Sequence, residues 1–179
     1  MPTNLIKTYN QFLELSHLSS HDRILSLKRI FNRDISENIG FNFRTKLIRP
    51  FKSNGQSDME TLFSHLTCMT EDKTDEAGNK IKSRTEFDYD RSKRLHWVKH
   101  HIDERSLDKI DVFSYMDRID GKDVIRTYIH DHCENYIVVL APQRSNTDYY
   151  LITAYHLSKE KGGINQIKNK SKKRLAEVY

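Results

Sequence analysis

Cysteine, long apolar runs and nucleotide-binding loops are the main features that this sequence lacks. Only Cys68 and Cys133 occur in 179 residues, far apart along the chain, so we expect two free thiols and no disulfide framework. No run of about 18 apolar residues is present, so no membrane contact is predicted. The N-terminus lacks the apolar core of a signal peptide, and we expect a cytoplasmic protein. Neither G-x-x-x-x-G-K-[ST] nor G-x-G-x-x-G occurs, so the common phosphate-binding loops are absent.

Positive charge is concentrated at one end of the chain. The net charge of +5 arises from residues 159–179, which hold seven Lys or Arg against two Glu, whereas the remaining chain has equal numbers of cations and carboxylates. Such a segment is typical either of a polyanion-binding tail or of a solubilising terminus. We predict a phosphate-binding tail whose substrate contacts include Lys168, Lys170, Lys172 and Lys173.

The first half of the chain predicts helices and one strand. Apolar residues recur at helical spacing in 5–18 and 19–40, which predicts an N-terminal helical hairpin over residues 1–40. We interpret residues 41–86 as an accessory region. Its predicted parts are a strand, a helix and a charged loop or small hairpin, at 41–51, 58–69 and 70–86. The residues of this half do not indicate a role.

The second half predicts one helix followed by three strands. The helix covers 87–103, and the strands cover 124–129, 136–140 and 148–155. Turn-rich connections between the strands favour hairpins over parallel crossovers. The predicted fold class is therefore α+β, with an N-terminal helical region before a domain of one or two helices on a three- or four-stranded antiparallel sheet. This domain, with the basic tail, covers 87–179.

Side-chain alternation predicts a polar face on this sheet. In the first strand Arg126 and Tyr128 point to the same side, because residues two apart in a strand share a face. In the last strand Thr153 and Tyr155 are predicted together on that polar side. Guanidinium, hydroxyl and phenol groups suit phosphate and base contacts. The alternative is that these residues are ordinary occupants of a half-buried strand.

The same alternation predicts which residues of the last strand point toward the opposite side. Tyr150, Ile152 and Ala154 occupy alternate positions and are expected to share the apolar face.

The helix at 87–103 carries a polar stripe beside an apolar one. Leu95, Val98 and Ile102 have the spacing of a buried stripe, and His96, Lys99 and His100 belong to the neighbouring stripe. A charged stripe is often only a solvated face. Histidine, however, has an unperturbed pKa of about 6.5 and exchanges protons near neutral pH.

These two groups of side chains together match the needs of metal-free RNA cleavage. Internal transesterification requires a base for the 2'-OH, an acid for the 5'-oxygen and cations for the additional phosphate charge. A histidine of the helix would be the base or the acid, and which one acts stays open. Cations and hydroxyls of the helix and sheet would bind the phosphate. The candidate catalytic residues are His96, Lys99, His100, Arg126, Thr153 and Tyr155.

Four runs in the second half carry a resemblance to a known family. They are R-x-x-R-L-x-W-V at 91–98, R-T-Y-I at 126–129, Y-I-V-V-L at 136–140 and Y-Y-L-I-T-A-Y at 149–155. In this order, and followed by a lysine-rich tail, they resemble the phage-associated nucleases of the barnase, EndoU, colicin and RelE superfamily. The resemblance covers about half of the chain.

The resemblance implies a nuclease domain at 87–179 that cuts RNA, often tRNA, without a metal ion or another cofactor. It also implies a toxin or phage-related effector, for which a cognate inhibitor protein is an expected partner. Arg91 and Arg94 match the helix motif and are expected, with Tyr128, to bind the substrate. The pairing of His96 with Lys99 is similar to that of the colicin-type tRNases.

Two other functions remain open. Nine histidines, with His96 and His100 one turn apart and His130, His132 and Cys133 close together, offer ligands for a catalytic zinc ion. The spacing does not match metalloprotease or zinc-ribbon motifs, so no metal site is predicted. The second alternative is a non-catalytic nucleic-acid-binding module or regulator, which needs cations and stacking surfaces but no titratable histidine.

Overall fold

The protein has a mixed α+β fold, as the sequence predicts at this level. The computed structural model describes residues 3–50, 52–53, 56–57, 59–74, 78, 80–143, 145, 147–158 and 163–179. The α-helices of the described residues are α1 Ser20–Phe31, α2 Met59–Thr67, α3 Tyr89–Ser92, α4 Trp97–Ile102 and α5 Gly163–Lys172. A 3-10 helix at Thr3–Ile6 and a π-helical turn at Asn32–Ser36 accompany them.

One large sheet contains most of the strands. The first six strands in the described part of the chain are β1 Asn42–Phe43, β2 Lys46–Pro50, β3 Lys52–Ser53, β4 Gln56–Ser57, β5 Glu71–Thr74 and β6 Lys80–Ser83. The others are β7 Ile110–Ile119, β8 Lys122–Asp131, β9 Tyr136–Pro142 and β10 Tyr149–His156. The large sheet has the order β1-β2-β10-β9-β8-β7, while β3 pairs with β4 and β5 pairs with β6. The hairpin of β5 and β6 falls within the predicted loop or hairpin at 70–86, of which residues 75–77 and 79 lie outside the described part.

The sheet is wider than predicted and is not purely antiparallel. Strands β8, β9 and β10 confirm the three predicted strands, and β7 pairs antiparallel with β8. Strand β2, from the predicted accessory region, pairs in parallel with β10. The sheet is therefore mixed, because a strand from far away in the sequence completes it. Local alternation does not reveal that pairing.

The sheet has a packed core on each face. On one face, which we call the helical face, Ile129 packs with Trp97 of α4 and with residues of α1, α2 and the N-terminal segment. On the other, which we call the α5 face, Tyr128 packs with Ile167 of α5. Ile129 and Tyr128 are neighbours in β8, so they project to opposite faces. The first core draws side chains from all three predicted segments of the chain.

The predicted helix over 5–18 is not formed, so residues 3–40, which the structure describes, contain no helical hairpin. Between the 3-10 helix and α1 this segment runs without regular helix, and it is buried at Leu13 and Leu15. Two buried residues at a spacing of two indicate an extended chain. The backbone N–H of Leu13 donates to the carbonyl of Lys93, and the Asn4 side chain bonds the backbone of residue 14. Helix α1 begins after Ser19, whose hydroxyl caps it by accepting from the N–H of Asp22.

The predicted helix over 87–103 is two short helices rather than one. Asp88 caps α3 by accepting the backbone N–H of Arg91. Between α3 and α4 the backbone bonds join residues three apart, as from the N–H of Leu95 to the carbonyl of Ser92. This 3-10-type turn interrupts the helix and shifts the phase of its faces.

The basic C-terminal tail is a docked helix. In α5 the apolar residues Ile164 and Ile167 are three apart, which forms a narrow apolar stripe among lysines. Ile167 is 2 % exposed. The prediction of a phosphate-binding tail relied on the lysines of this segment. Its docking on the sheet depends instead on the burial of two isoleucines.

Candidate functional site

The predicted catalytic residues form two groups on opposite faces of the sheet. His96, Lys99 and His100 belong to the turn before α4 and to α4 itself, which pack on the helical face. Arg126 shares the α5 face with Tyr128, because the two are two residues apart in β8. The register of β10 with β9 places Thr153 and Tyr155 on that same face. The expected shared pocket is therefore not formed.

The helical group lines a cavity of about 280 Å³ between the N-terminal segment and α4, which we call the N-terminal cleft. His96, Lys99 and His100 all contribute to its wall, together with Tyr9 and other residues of the N-terminal segment. The helical spacing therefore grouped these three residues correctly. The other cations of the wall are Lys7, Arg33 and Arg105.

His96 is almost fully buried. Its Nε2 lies 3.3 Å from the backbone carbonyl of Thr8. Because a carbonyl only accepts, Nε2 carries the proton, and the buried Nδ1 has no hydrogen-bond partner in the described part of the chain. Burial lowers the pKa of His96 to about 4, so this imidazole is neutral at pH 7. It therefore cannot be a general acid at neutral pH.

His100 is half-buried beside the N-terminal segment. Its ring stacks on Tyr9 with centroids 4.0 Å apart, and its Nε2 lies 2.9 Å from Oγ of Ser106. Burial, followed by the neighbouring His101, lowers the pKa of His100 to about 4. The two histidines of the cleft are thus both neutral at pH 7, a form that accepts a proton as the predicted base but does not donate one as a general acid.

His101, which the helical pattern did not distinguish, joins α4 to the sheet. Its Nε2 lies 3.0 Å from the Asp131 carboxylate and its Nδ1 lies 2.7 Å from the carbonyl of Trp97. Tyr9 donates its hydroxyl to the same carboxylate. Although burial opposes it, the hydrogen bonds from His101, the N–H of Glu134 and Tyr9 hold the pKa of Asp131 well below its usual range. The position of His101, four residues after Trp97 on the buried stripe, was the available signal.

On the other side of the molecule, Arg91, Thr153 and Tyr155 meet. Nη1 of Arg91 lies 2.9 Å from the hydroxyl of Thr153, and its guanidinium carbon lies 5.5 Å from the ring centroid of Tyr155. Arg91 also donates to the carbonyl of His65, and its Nε lies 3.6 Å from the Asp88 carboxylate. The structure therefore brings together three of the residues that the sequence analysis selected.

A cavity of about 490 Å³ opens beside this group, at the end of β10. Arg91, Tyr155 and His156 line it, with Asp88 and Asp90 at the start of α3. His156 was not among the predicted acid–base candidates, which were histidines of the helix only. Burial lowers the pKa of His156, with a smaller contribution from Arg94. The imidazole of His156 is therefore neutral at pH 7, and it lines this cavity together with the Arg91 guanidinium.

Two predicted substrate contacts are buried instead. Arg94 is 7 % exposed, donates to the carbonyl of Asp90 and packs against Phe12. Tyr128 is 4 % exposed and donates its hydroxyl to Asp117. Burial and that carboxylate raise the pKa of Tyr128. The structure thus gives both side chains packing roles at their present positions.

The predicted lysine contacts of the tail divide into two kinds. Lys170 binds the Asp117 carboxylate at 2.6 Å and the hydroxyl of Tyr128 at 2.8 Å. In contrast, Lys168, Lys172 and Lys173 are exposed, and none forms an ion pair with a carboxylate of the described residues. Two cations of α5 and Lys173, the residue after it, therefore remain available to a partner.

Four neighbouring strands each contribute one side chain to a row on the α5 face, which we call the tyrosine–arginine row. Its members are Tyr115, Arg126, Ala141 and Tyr150, of which all but Ala141 are half-exposed. Tyr115 pairs with Arg126 across β7 and β8, and Tyr150 pairs with Ala141 across β9 and β10. The register of β8 with β9 brings Arg126 next to Ala141. The Nζ of Lys170 lies 5.6 Å from the ring centroid of Tyr115. Arg126, Ala141 and Tyr150 line a groove of about 710 Å³.

Arg126 is the unusual member of this row. It is half-buried, and it makes no hydrogen bond or ion pair with another described residue. Burial lowers the pKa of its guanidinium, because the charged form is partly removed from water. A partly desolvated cation between two tyrosines is well suited to an anionic, aromatic ligand.

Neither a metal site nor a membrane-spanning helix is found in the part of the chain that the structure describes. No three His, Cys, Asp or Glu side chains there are arranged to hold a metal ion. No helix there has both the length and the apolar character needed to cross a bilayer. No protein-family model, curated protein or solved structure matches this chain.

Proposed function

We propose that this protein binds single-stranded RNA across the tyrosine–arginine row. The observation that carries the proposal is Arg126, a half-buried guanidinium with no acceptor among the described residues, between the rings of Tyr115 and Tyr150. Aromatic rings on an open sheet face stack with unpaired bases, and arginine binds the phosphates between them. Ala141, whose side chain is small, lines the groove together with Arg126 and Tyr150.

The spacing of the row fits a short stretch of RNA. Neighbouring strands lie about 4.8 Å apart, so three spacings separate Tyr115 from Tyr150 by roughly 14 Å. This separation allows each ring to stack with a different base while Arg126 binds the intervening backbone. The exposed lysines of α5 extend the positive charge from this face, which adds sequence-independent attraction for phosphates.

Binding of a fluorescent single-stranded RNA, followed by anisotropy, tests this proposal. Tyr115→Leu and Tyr150→Leu each remove a stacking surface, and we expect each to weaken binding by about 10- to 100-fold. Arg126→Gln should weaken it comparably by removing the phosphate contact. Matched controls are Tyr89→Leu, on α3, and Arg118→Gln, an exposed cation of β7. Unchanged affinity in the double tyrosine variant would contradict the proposal.

RNA cleavage is a second candidate function, favoured by the position of His156. Its neutral imidazole and the Arg91 guanidinium line one cavity, and Arg91 also bonds the Thr153 hydroxyl. In this mechanism His156 takes the 2'-OH proton, the 2'-oxygen attacks phosphorus and the bond to the 5'-oxygen breaks. Arg91 stabilises the additional phosphate charge, and water protonates the leaving oxygen. The products are a 2',3'-cyclic phosphate and a 5'-hydroxyl, without a metal ion.

Incubation of the purified protein with RNA in excess EDTA, followed by end mapping, tests this candidate. Cleavage with 2',3'-cyclic ends that His156→Gln and Arg91→Gln abolish would support it. His96→Gln is the control, because its imidazole lies in the other cavity. If the RNA stays intact while anisotropy reports binding, the protein binds RNA without cutting it.

A further inference from the structure

The N-terminal cleft is the strongest cluster of cations that the RNA-binding proposal leaves unused. Lys7, Arg33, Lys99 and Arg105 contribute to its wall, and Asp34 is the only carboxylate among the described residues that does. Side chains from the N-terminal segment, the π-helical turn, α4 and the following loop therefore converge on one small cavity. Because these four cations come from distant parts of the chain, only the tertiary fold brings them together.

The carboxylates around the cleft orient these cations but do not use all of their N–H donors. Asp34 pairs with Arg33, and Asp103 pairs with both Lys99 and Arg105. Lys99 donates twice to Asp103, so one of its three N–H donors remains, and Arg105 uses Nε and Nη2 but not Nη1. Ion pairs of this kind fix the direction of the spare donors.

The total charge of the cleft is positive even when its flanking carboxylates are included. Glu14 pairs with Lys7, so four cations face three carboxylates and the cluster has a net charge of +1. The two histidines add no charge at pH 7, because burial holds the pKa of each at about 4. A ligand with one or two negative charges balances this cluster, whereas a long polyanion does not need so small a cavity.

We propose that the N-terminal cleft binds the phosphate group of a small phosphomonoester. A phosphate oxygen accepts from several donors at once, which matches the spare N–H groups of Lys99, Arg105 and Lys7. A volume of about 280 Å³ lies near the lower limit of ordinary ligand pockets and suits a sugar phosphate. The stacked pair of Tyr9 and His100 forms a flat aromatic wall beside the phosphate position.

This site is separate from the tyrosine–arginine row. The cleft lies beside α4 on the helical face, whereas Arg126 and the two tyrosines of the row lie on the α5 face. A phosphomonoester has two sources, a free small molecule or the 5'-phosphate end of an RNA strand. The cleft recognises the same phosphate group in both, and the RNA oligonucleotides described below distinguish the two sources.

Isothermal titration calorimetry of the full chain with ribose 5-phosphate, inorganic phosphate and ribose tests the proposal. We expect heat with the two phosphates and none with ribose. Lys99→Gln and Arg105→Gln should each weaken phosphate binding roughly tenfold or more, because each removes a charged hydrogen bond. Lys28→Gln, on α1, is the matched control. Arg105 is largely exposed, so its variant reports on binding even if the Lys99 variant is unstable.

A second arm compares RNA oligonucleotides that differ only in their 5' end. Tighter binding of the 5'-phosphorylated oligonucleotide that depends on Lys99, without binding of ribose 5-phosphate, would identify the RNA end as the source. Heat with ribose 5-phosphate identifies a small molecule. Absence of heat with every phosphate, or binding that neither variant weakens, would overturn the proposal. The 5'-hydroxyl oligonucleotide measures the tyrosine–arginine row independently, so the two proposals can fail separately.

Discussion

The two faces of the large sheet are covered very differently. The helical face packs against α1, α2, α4 and the N-terminal segment, and Trp97 and Ile129 on it are fully buried. On the α5 face the ten-residue helix α5 covers part of the strands, and the two tyrosines and the arginine of the tyrosine–arginine row stay half-exposed. A thickly covered face supplies stability, whereas a partly covered one keeps aromatic and cationic side chains accessible to a ligand.

This difference explains why polar residues have opposite roles on the two sides. On the helical face, His101 and Asp131 are fully buried and bond to each other, which joins α4 to β8, and Tyr9 of the N-terminal segment donates its hydroxyl to the same carboxylate. On the α5 face, Arg126 makes no such bond with a described residue. A buried polar group needs a partner from the protein, and a half-exposed one is free to take a partner from outside.

The comparison predicts the largest loss of stability on the helical face. Trp97→Ala should lower the free energy of unfolding by about 3 to 5 kcal/mol, because it leaves a large cavity in the main core. The Trp97 Nε1–H bond to the carbonyl of Gln11 is lost as well. Tyr150→Ala, on the half-exposed row, should cost about 1 kcal/mol or less. Urea denaturation measures both, and equal losses would show that the two faces contribute alike.

The second prediction concerns α5, the cover of the opposite face. Ile167→Ala should lower the free energy of unfolding by about 2 to 4 kcal/mol, because Ile167 is the fully buried residue of this helix. Ile164→Ala, at the half-buried position of the same stripe, should cost clearly less. The measurement is urea denaturation again. If Ile167→Ala has no effect, the basic segment is not docked on the sheet.

Local patterns in the sequence predicted parts of both faces. Alternation assigned Arg126 and Tyr128 to one side of β8 correctly, and it grouped Thr153 with Tyr155. It failed for Tyr150 and for Ile152, because a bulge between Leu151 and Thr153 changes the phase of β10. That irregularity brings Tyr150 into the tyrosine–arginine row.

Long-range packing decided what local patterns left open. Helical spacing grouped His96, Lys99 and His100, but it contains no information about which face of the sheet α4 contacts. That choice depends on packing between Trp97 and strands that follow it in sequence. The parallel pairing of β2 with β10 has the same origin, since its partners are about a hundred residues apart.

The third prediction uses the pH dependence of the helical face. The pKa of His96 is about 4 in the folded state, below its ordinary value of 6.5, because burial disfavours the charged form. The unfolded state therefore binds more protons between these values, and stability decreases as pH falls from 6.5 toward 4. One such group contributes a slope of about 1.4 kcal/mol per pH unit within this window.

The variant His96→Gln should reduce this slope, because glutamine keeps a donor for the carbonyl of Thr8 but does not titrate. His17→Gln, at an exposed position, is the control and should leave the slope unchanged. Unfolding free energies from urea titrations between pH 4 and 7 provide the measurement. A slope that His96→Gln leaves intact would mean that another group dominates the acid sensitivity.

The smallest effect on stability and a specific effect on binding are expected at the exposed lysines of α5 and of the residue that follows it. Replacing Lys168, Lys172 and Lys173 with Gln together should change the free energy of unfolding by about 0.5 kcal/mol or less, because all three are exposed. The slope of log affinity against log salt for single-stranded RNA should fall by about 2, since each lost phosphate contact contributes roughly 0.7. The double variant Lys28→Gln and Arg29→Gln, on α1, should leave that slope unchanged. Equal salt slopes for the α5 variant and the parent would show that RNA contacts the tyrosine–arginine row without α5.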